Sequence, residues 1–232
     1  MRGSATIVGP EPETVAESAL RIEGALDVGC FERCWNELLR RHEALRTLFV
    51  VKNVPKPLQV VLKQRQLPFT YRDVSALDEQ ARRAVLASYR SEDLGQKFDL
   101  SRDVLLRVGL LKVEPTVHLM VLSFHHILMD GWCQGILLRE LLALYQALSQ
   151  GRPSPLPALA TPFRRYVKWL EQQDRAGSLA YWARYLEGYT QAVHAAREPA
   201  AADSGTEPIE RHAFELSREK TAALVALAAR CG

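Results

Sequence analysis

No run of 18 or more apolar residues occurs in this chain of 232 residues, so no segment reads as a membrane-spanning helix. The opening Met1-Arg2-Gly3-Ser4-Ala5 has one basic residue and no apolar core behind it. That does not read as a secretion signal, and the cytoplasm is the expected compartment. Cysteine is sparse, and Cys30, Cys34, Cys133 and Cys231 show no CxxC or His/Cys ligand spacing. Cys30 and Cys34 share a face of an expected helix, but two thiolates alone make a poor metal site, so buried thiols are expected. Charge of one sign is also short. Thirty Lys and Arg against 27 Asp and Glu leave a net +3, with no Lys/Arg block interleaved with aromatics, so nucleic acid is not an expected partner. No internal repeat is found. The remaining composition, 47% hydrophobic and 25% charged, suits a globular chain of one sizeable domain or two small ones.

Against this background one run stands out. His125-His126-Ile127-Leu128-Met129-Asp130-Gly131 spells HHxxxDG after an apolar stretch, Val117 to Phe124, with the length of a buried strand. A helix-like stretch, Trp132 to Leu148, follows at once. Successive strand side chains point to opposite faces, so one imidazole is expected to meet an open site while the other packs inward. A strand end where a helix begins is a frequent place for chemistry. Two plainer readings compete: a satisfied core histidine pair, and an Asp130 that merely caps the helix. A metal site of His125, His126 and Asp130 is disfavoured because adjacent strand histidines diverge.

Periodicity organises the rest. Residues 1 to 14 form a lead-in, and Ser18 to Glu23 reads as a strand ending at Gly24. Val28, Phe31, Trp35, Leu38, Leu39 and His42 fall at helical spacing, which predicts an amphipathic helix over 27 to 42. Leu45 to Lys52 and Leu58 to Lys63 are β-rich runs about an Asn53 to Pro57 turn. Glu79 to Tyr89 reads as a helix, and Leu105 to Val113 is expected to pair with the His-bearing strand across Glu114-Pro115. Helices near 162 to 174 and 178 to 187 carry Tyr166, Trp169, Tyr181, Trp182 and Tyr185, aromatics expected in the core. Residues 190 to 208 are linker-like, and a strand (Arg211 to Leu216) and a helix from Ser217 follow.

A second run, Arg41-His42-Glu43-Ala44-Leu45-Arg46-Thr47-Leu48-Phe49, closes the first helix and opens a strand in which Arg46 shares a face with Leu48 and Val50. A guanidinium on an apolar face needs a charge partner, because burying it unpaired is costly. Asp130 is the expected partner, since the fork of Arg matches a carboxylate. The competing reading has Arg46 reach solvent at a strand edge.

With these two runs the chain resembles the condensation domains of non-ribosomal peptide synthetases. Their RHExLRTxF motif matches residues 41 to 49 at every specified position, and their HHxxxDG motif matches 125 to 131. Weaker matches are Phe98-Asp99-Leu100 before Leu105-Leu106-Arg107, and Phe163-Arg164-Arg165-Tyr166-Val167-Lys168-Trp169 against an aromatic YxDYAVW-like segment. Arg165 replaces an acidic residue there, and Asp103-Val104 stands where Gly-Pro is usual. The family's opening motif, around SxAQxRLW, is absent before Ser18. The resemblance covers roughly residues 15 to 232, about the first half of such a domain. It implies an α/β fold like one lobe of chloramphenicol acetyltransferase, a mixed sheet with flanking helices. The N-terminal lobe would be 15–189, with 190–208 a linker and 209–232 the start of a truncated second lobe.

The reaction implied is attack by the α-amine of an acceptor aminoacyl thioester on a donor acyl thioester, both carried on phosphopantetheine arms of donor and acceptor carrier proteins. The chain itself would bind no cofactor. A free α-amine titrates near ~7.7–8.0, so only modest base assistance is needed. The resemblance makes His126 the general base or positioner of that amine. His125 would sit behind it and fix the backbone. Asp130, paired with Arg46, would hold the turn, and Gly131 would permit a tight turn at the helix start. No Ser or Cys nucleophile is required. Heterocyclisation domains replace the histidines with aspartate, and epimerisation domains usually depart from the Asp130-Gly131-Trp132 pattern. Two alternatives stay open: a free-standing CoA-dependent acyltransferase of the same superfamily, and a non-catalytic binding or docking remnant. A half-domain would leave Phe214, Leu216, Leu224, Val225 and Leu227 exposed, show no turnover and tend to associate.

Overall fold

The structure is a computed structural model that describes residues 15–159, 161–190 and 214–231. Two compact units divide at Gln173/Asp174. The first holds β1 (Val15–Glu23), α1 (Val28–Arg41), β2 (Thr47–Val50), β3 (Leu58–Val61), β4 (Phe69–Asp73) and α2 (Glu79–Gly95). It continues with β5 (Leu106–Glu114), β6 (Val117–His125), α3 (Gly131–Leu148) and α4 (Phe163–Glu171). The second holds α5 (Arg175–Tyr185) and α6 (Arg218–Cys231).

β6 lies inside a mixed four-stranded sheet ordered β1-β6-β5-β4. Its near-continuous apolar run is what a strand covered on both faces requires. β1 pairs antiparallel on one side, with Val15 opposite His125, and β5 pairs antiparallel on the other, with Leu106 opposite Phe124. The Glu114-Pro115 turn joins β5 to β6 as the sequence implies. β4 runs parallel to β5. A parallel pair needs a crossover, and α2 supplies it.

The two-residue alternation sorts the sheet's faces. Met120, Leu122 and Phe124 of β6 belong to the main core with Phe31, Trp35 and Leu38 of α1 and Leu137, Leu141 and Leu144 of α3. Val121 and Leu111 turn the other way and pack with Tyr89 of α2. His125 shares parity with Val121 and Ser123, which puts it on the α2 side. α1 starts at an Asp27 cap whose carboxylate accepts from the Cys30 N–H at 2.9 Å. Cys30 and Cys34 are both buried, as expected of thiols on the inward face of α1. Burial, with Cys30 alongside, pushes the Cys34 thiol up to about 12.

Several expectations change. Glu43–Arg46 forms a 3-10 turn and β2 begins only at Thr47, so Arg46 precedes the strand instead of lying in it. β4 has no counterpart in the sequence reading, and α2 runs on to Gly95. Tyr166, Trp169, Tyr181, Trp182 and Tyr185 are exposed, against the expectation of core, because the faces of α4 and α5 that carry them have no described partner. Residues 214–217 carry no regular structure, and the rest of the strand expected over Arg211 to Leu216 lies outside the described residues, as do 191–208 of the expected linker and the lead-in.

Candidate active site

β6 delivers the two histidines to the place where its pairing ends. The His125 N–H still donates to the Leu105 carbonyl at 3.0 Å, and the Leu128 N–H donates back to the His125 carbonyl at 2.9 Å, closing a tight turn before α3. His125 is 5% exposed, whereas His126 lies in the turn and is exposed. The expected division into one inward and one outward imidazole is therefore present. The His126 ring rests edge-on against Phe124, centroids 5.5 Å apart.

His125 is fixed from within. Its Nδ1 accepts the Ile127 N–H at 3.0 Å, which in a neutral ring leaves the proton on Nε2. That Nε2 is buried without a partner. Burial, reinforced by neighbouring His126, lowers the His125 pKa, so this ring stays neutral. An imidazole with one nitrogen occupied and the other enclosed is not free to take a substrate proton. His126 is the one with access.

Asp130 and Arg46 do not meet. Asp130 is the N-cap of α3, and its carboxylate accepts from the Cys133 N–H at 3.1 Å. That amide, then the Cys133 thiol, holds the exposed carboxyl below the usual range. The Arg46 Nη1 donates instead to the Leu62 carbonyl, just past β3, and its Nε is buried without a partner. The reason is local: the 3-10 turn sets Arg46 ahead of β2, beside the strand that returns. Of the two plainer readings, the helix cap is what Asp130 does here. Gly131 opens α3 without a positive φ, and a Cβ there would meet nothing within 4 Å, so no tight turn demands glycine at this position. Among the described residues no three His, Cys, Asp or Glu side chains gather as a metal site.

The rest of the 41 to 49 run braces the lobe. Arg41 Nε and His42 Nε2 both meet Glu140 Oε2 of α3, at 3.0 and 2.7 Å. Burial opposes the Glu140 charge, but His42 and Arg41 outweigh it and keep the carboxyl below its usual range. Glu43 pairs with Arg164 at 2.9 Å, and the Thr47 hydroxyl donates to the Glu43 carbonyl. Sequence reading assigned nothing to Asp93 and Ser123, which form a buried polar group with Arg107 on the α2 side of the sheet. The available signal was the spacing of Ser123 and His125, two apart and so on one face.

A family profile described as "Condensation domain" matches residues 13–232. Tyrocidine synthase 2 of Brevibacillus parabrevis is 36% identical over 216 residues, which take in 93% of this chain and 6% of that protein. Gramicidin S synthase 2 of Brevibacillus brevis is 37% identical over 203 residues, 87% of this chain and 4% of that protein. The chain thus spans a small part of these relatives. The starter condensation domain of the rhizomide synthetase RzmA shares the fold, with a TM-score of 0.69 and 21% identity over 78% of this chain and 44% of that one. A variant of that domain has been solved in complex with C8-CoA and Leu-SNAC. The mixed sheet with flanking helices, the two motifs in order and the profile over nearly the whole length make this chain a member of the condensation domain family, of which it spans part.

Proposed function

We propose that this chain supplies the His-bearing side of an amide-forming site that joins acyl or aminoacyl groups presented as carrier-bound phosphopantetheine thioesters. One observation carries the reading: His126 stands exposed at the end of the central strand while His125 behind it is locked. An exposed neutral imidazole can orient an incoming α-amine and accept its proton as the C–N bond forms. The thioester is already activated, so the thiolate of the pantetheine arm leaves without a protein nucleophile. Donor and acceptor carrier proteins are the partners this chemistry needs, and the setting is cytoplasmic secondary metabolism. The match to peptide synthases supports carrier-bound thioesters over CoA esters.

The test is amide formation by a complete domain carrying this sequence, with carrier-bound donor and acceptor. His126→Ala should lower turnover by about 10²–10⁴, the usual contribution of a general base. The midpoint of thermal unfolding should hardly move, since the side chain is exposed. Full activity in the variant would remove His126 from the reaction.

A further inference from the structure

Two residues of the segment Phe98 to Arg107 lie behind the histidines. Phe98 is 2% exposed. Its ring meets the His125 imidazole edge-on, centroids 6.5 Å apart and planes at 78°. The guanidinium carbon of Arg107 stands 4.0 Å from the centroid of the same phenyl ring, well within cation–π range. Arg107 is itself held tightly. Its Nε donates to Asp93 Oδ1 at 3.0 Å, and its Nη2 donates to the Asp93 and Gln96 carbonyls at 2.8 and 3.1 Å. Those carbonyls lie at the C-terminal end of α2, where a cation is favoured. Asp93 accepts in turn from the Ser123 hydroxyl. The guanidinium cannot leave the Phe98 ring without breaking these bonds.

His125 is where the contacts lead. With Nδ1 on the Ile127 amide and Nε2 unpartnered, one hydrogen bond fixes the ring and packing must do the rest. Phe98 provides that packing. We propose that Phe98 and Arg107 are positioning residues for His125 and, through it, for His126. The guanidinium holds the phenyl ring, and the ring keeps the imidazole turned so that Nδ1 stays on the Ile127 N–H. That bond shapes the turn which leaves His126 outside. Neither residue touches substrate. The inference rests on reading His126 as the group that handles the amine, yet it can be tested without turnover.

The experiment is imidazole and amide NMR on this chain, with hydrogen exchange. In the wild type His125 should show the Nε2–H tautomer, and the Ile127 amide should be protected. Phe98→Leu keeps apolar bulk and removes the ring. It should speed Ile127 exchange by at least about tenfold, as local opening would, and mix the His125 tautomers. The Val121 amide in the same strand should stay as it was. Arg107→Lys keeps a cation above the ring and should lie nearer the wild type than Arg107→Met. Unchanged Ile127 exchange and His125 tautomer in Phe98→Leu would overturn the proposal. So would loosening of all β6 amides together, which marks a merely structural role. If Arg107→Met fails to fold, Phe98→Leu decides alone. Normal turnover in His126→Ala beside the expected Phe98→Leu response would discard the role of His126 in the reaction and leave the positioning of His125 intact.

Discussion

At the scale of single residues, burial decides what each titratable group can do. The folded pKa of His125 lies below its unfolded value of about 6.5 because the ring is enclosed. Above that pH neither state holds the proton. As pH falls below it, the unfolded chain takes up a proton that the folded chain refuses, so stability drops until the folded pKa is passed. His118, lowered by burial and then by Lys112, adds in the same direction. Thermal midpoints should therefore fall between about pH 7.5 and 5.5, above the range where carboxylates titrate. His125→Asn keeps an acceptor for the Ile127 amide and removes the titration, so its fall should be shallower. An equal slope would contradict the burial. A second expectation concerns Arg46 and Asp130, which bond to Leu62 and Cys133 respectively. Arg46→Ala should cost about 1.5–3 kcal/mol for a hydrogen bond from a charged donor. Asp130→Ala should lower the midpoint through the lost cap, and the double variant should be additive within about 0.5 kcal/mol. Coupling well beyond that would show that the two interact. The inward and outward placing of the two histidines was legible from their position at the end of an apolar run. β6 nevertheless stops at His125, and it is the turn, not strand alternation, that carries His126 outward. The Arg46 partner was not legible, because the 3-10 turn at Glu43–Arg46 breaks the alternation that the pairing assumed.

At the scale of elements, α2 meets the sheet at a close approach and through ion pairs that join Asp93 to Arg107 of β5, Arg90 to Glu17 of β1 and Glu92 to Arg72 of β4. Gly109 lies beneath the Tyr89 hydroxyl, and an added Cβ would overlap it. Gly109→Ala should then destabilise by about 1–3 kcal/mol, as overpacking does, while Gly95→Ala in open space should not. Chemical denaturation of both reads the difference, and equal midpoints would show that Tyr89 gives way freely. Arg107→Met alone strands Asp93, whose side chain is 9% exposed, and should cost about 3–5 kcal/mol. Asp93→Leu with Arg107→Met replaces both charges and should recover much of that loss. Failure to recover would locate the value of the pair in its links to Gln96 and Ser123. Most elements were legible: α1 and α3 from helical spacing, β5 and β6 from apolar runs about a turn. β4 was not, because Phe69–Asp73 is short, mostly exposed and carries Arg and Asp at its end, so neither alternation nor apolarity marks it. Its place comes from pairing with β5, which no local pattern reveals.

At the scale of the whole molecule, each compact unit carries uncovered apolar surface. In the first, Phe163, Tyr166, Trp169 and Leu170 of α4 are all about half exposed. In the second, Tyr181, Trp182 and Tyr185 of α5 and Leu224, Val225 and Leu227 of α6 are likewise open. Patches of this kind favour association. Sedimentation or light scattering over a concentration series should show the chain self-associating, and a clean monomer throughout would refute that. Aromatic spacing revealed these residues in the sequence but not their exposure, since a helix face looks the same whether or not something lies on it. The register of the central strand has a consequence for how the chain acquires its shape. Val15 pairs with His125, so β1 leaves the ribosome roughly a hundred residues before its neighbour, several seconds at about 5–20 residues per second. Pairing so distant in sequence is slow and closes late. The histidine turn, closed by local bonds to Leu105 and Leu128, can thus form before β1 docks, and until then the nascent β1 is unpaired on both sides and open to association.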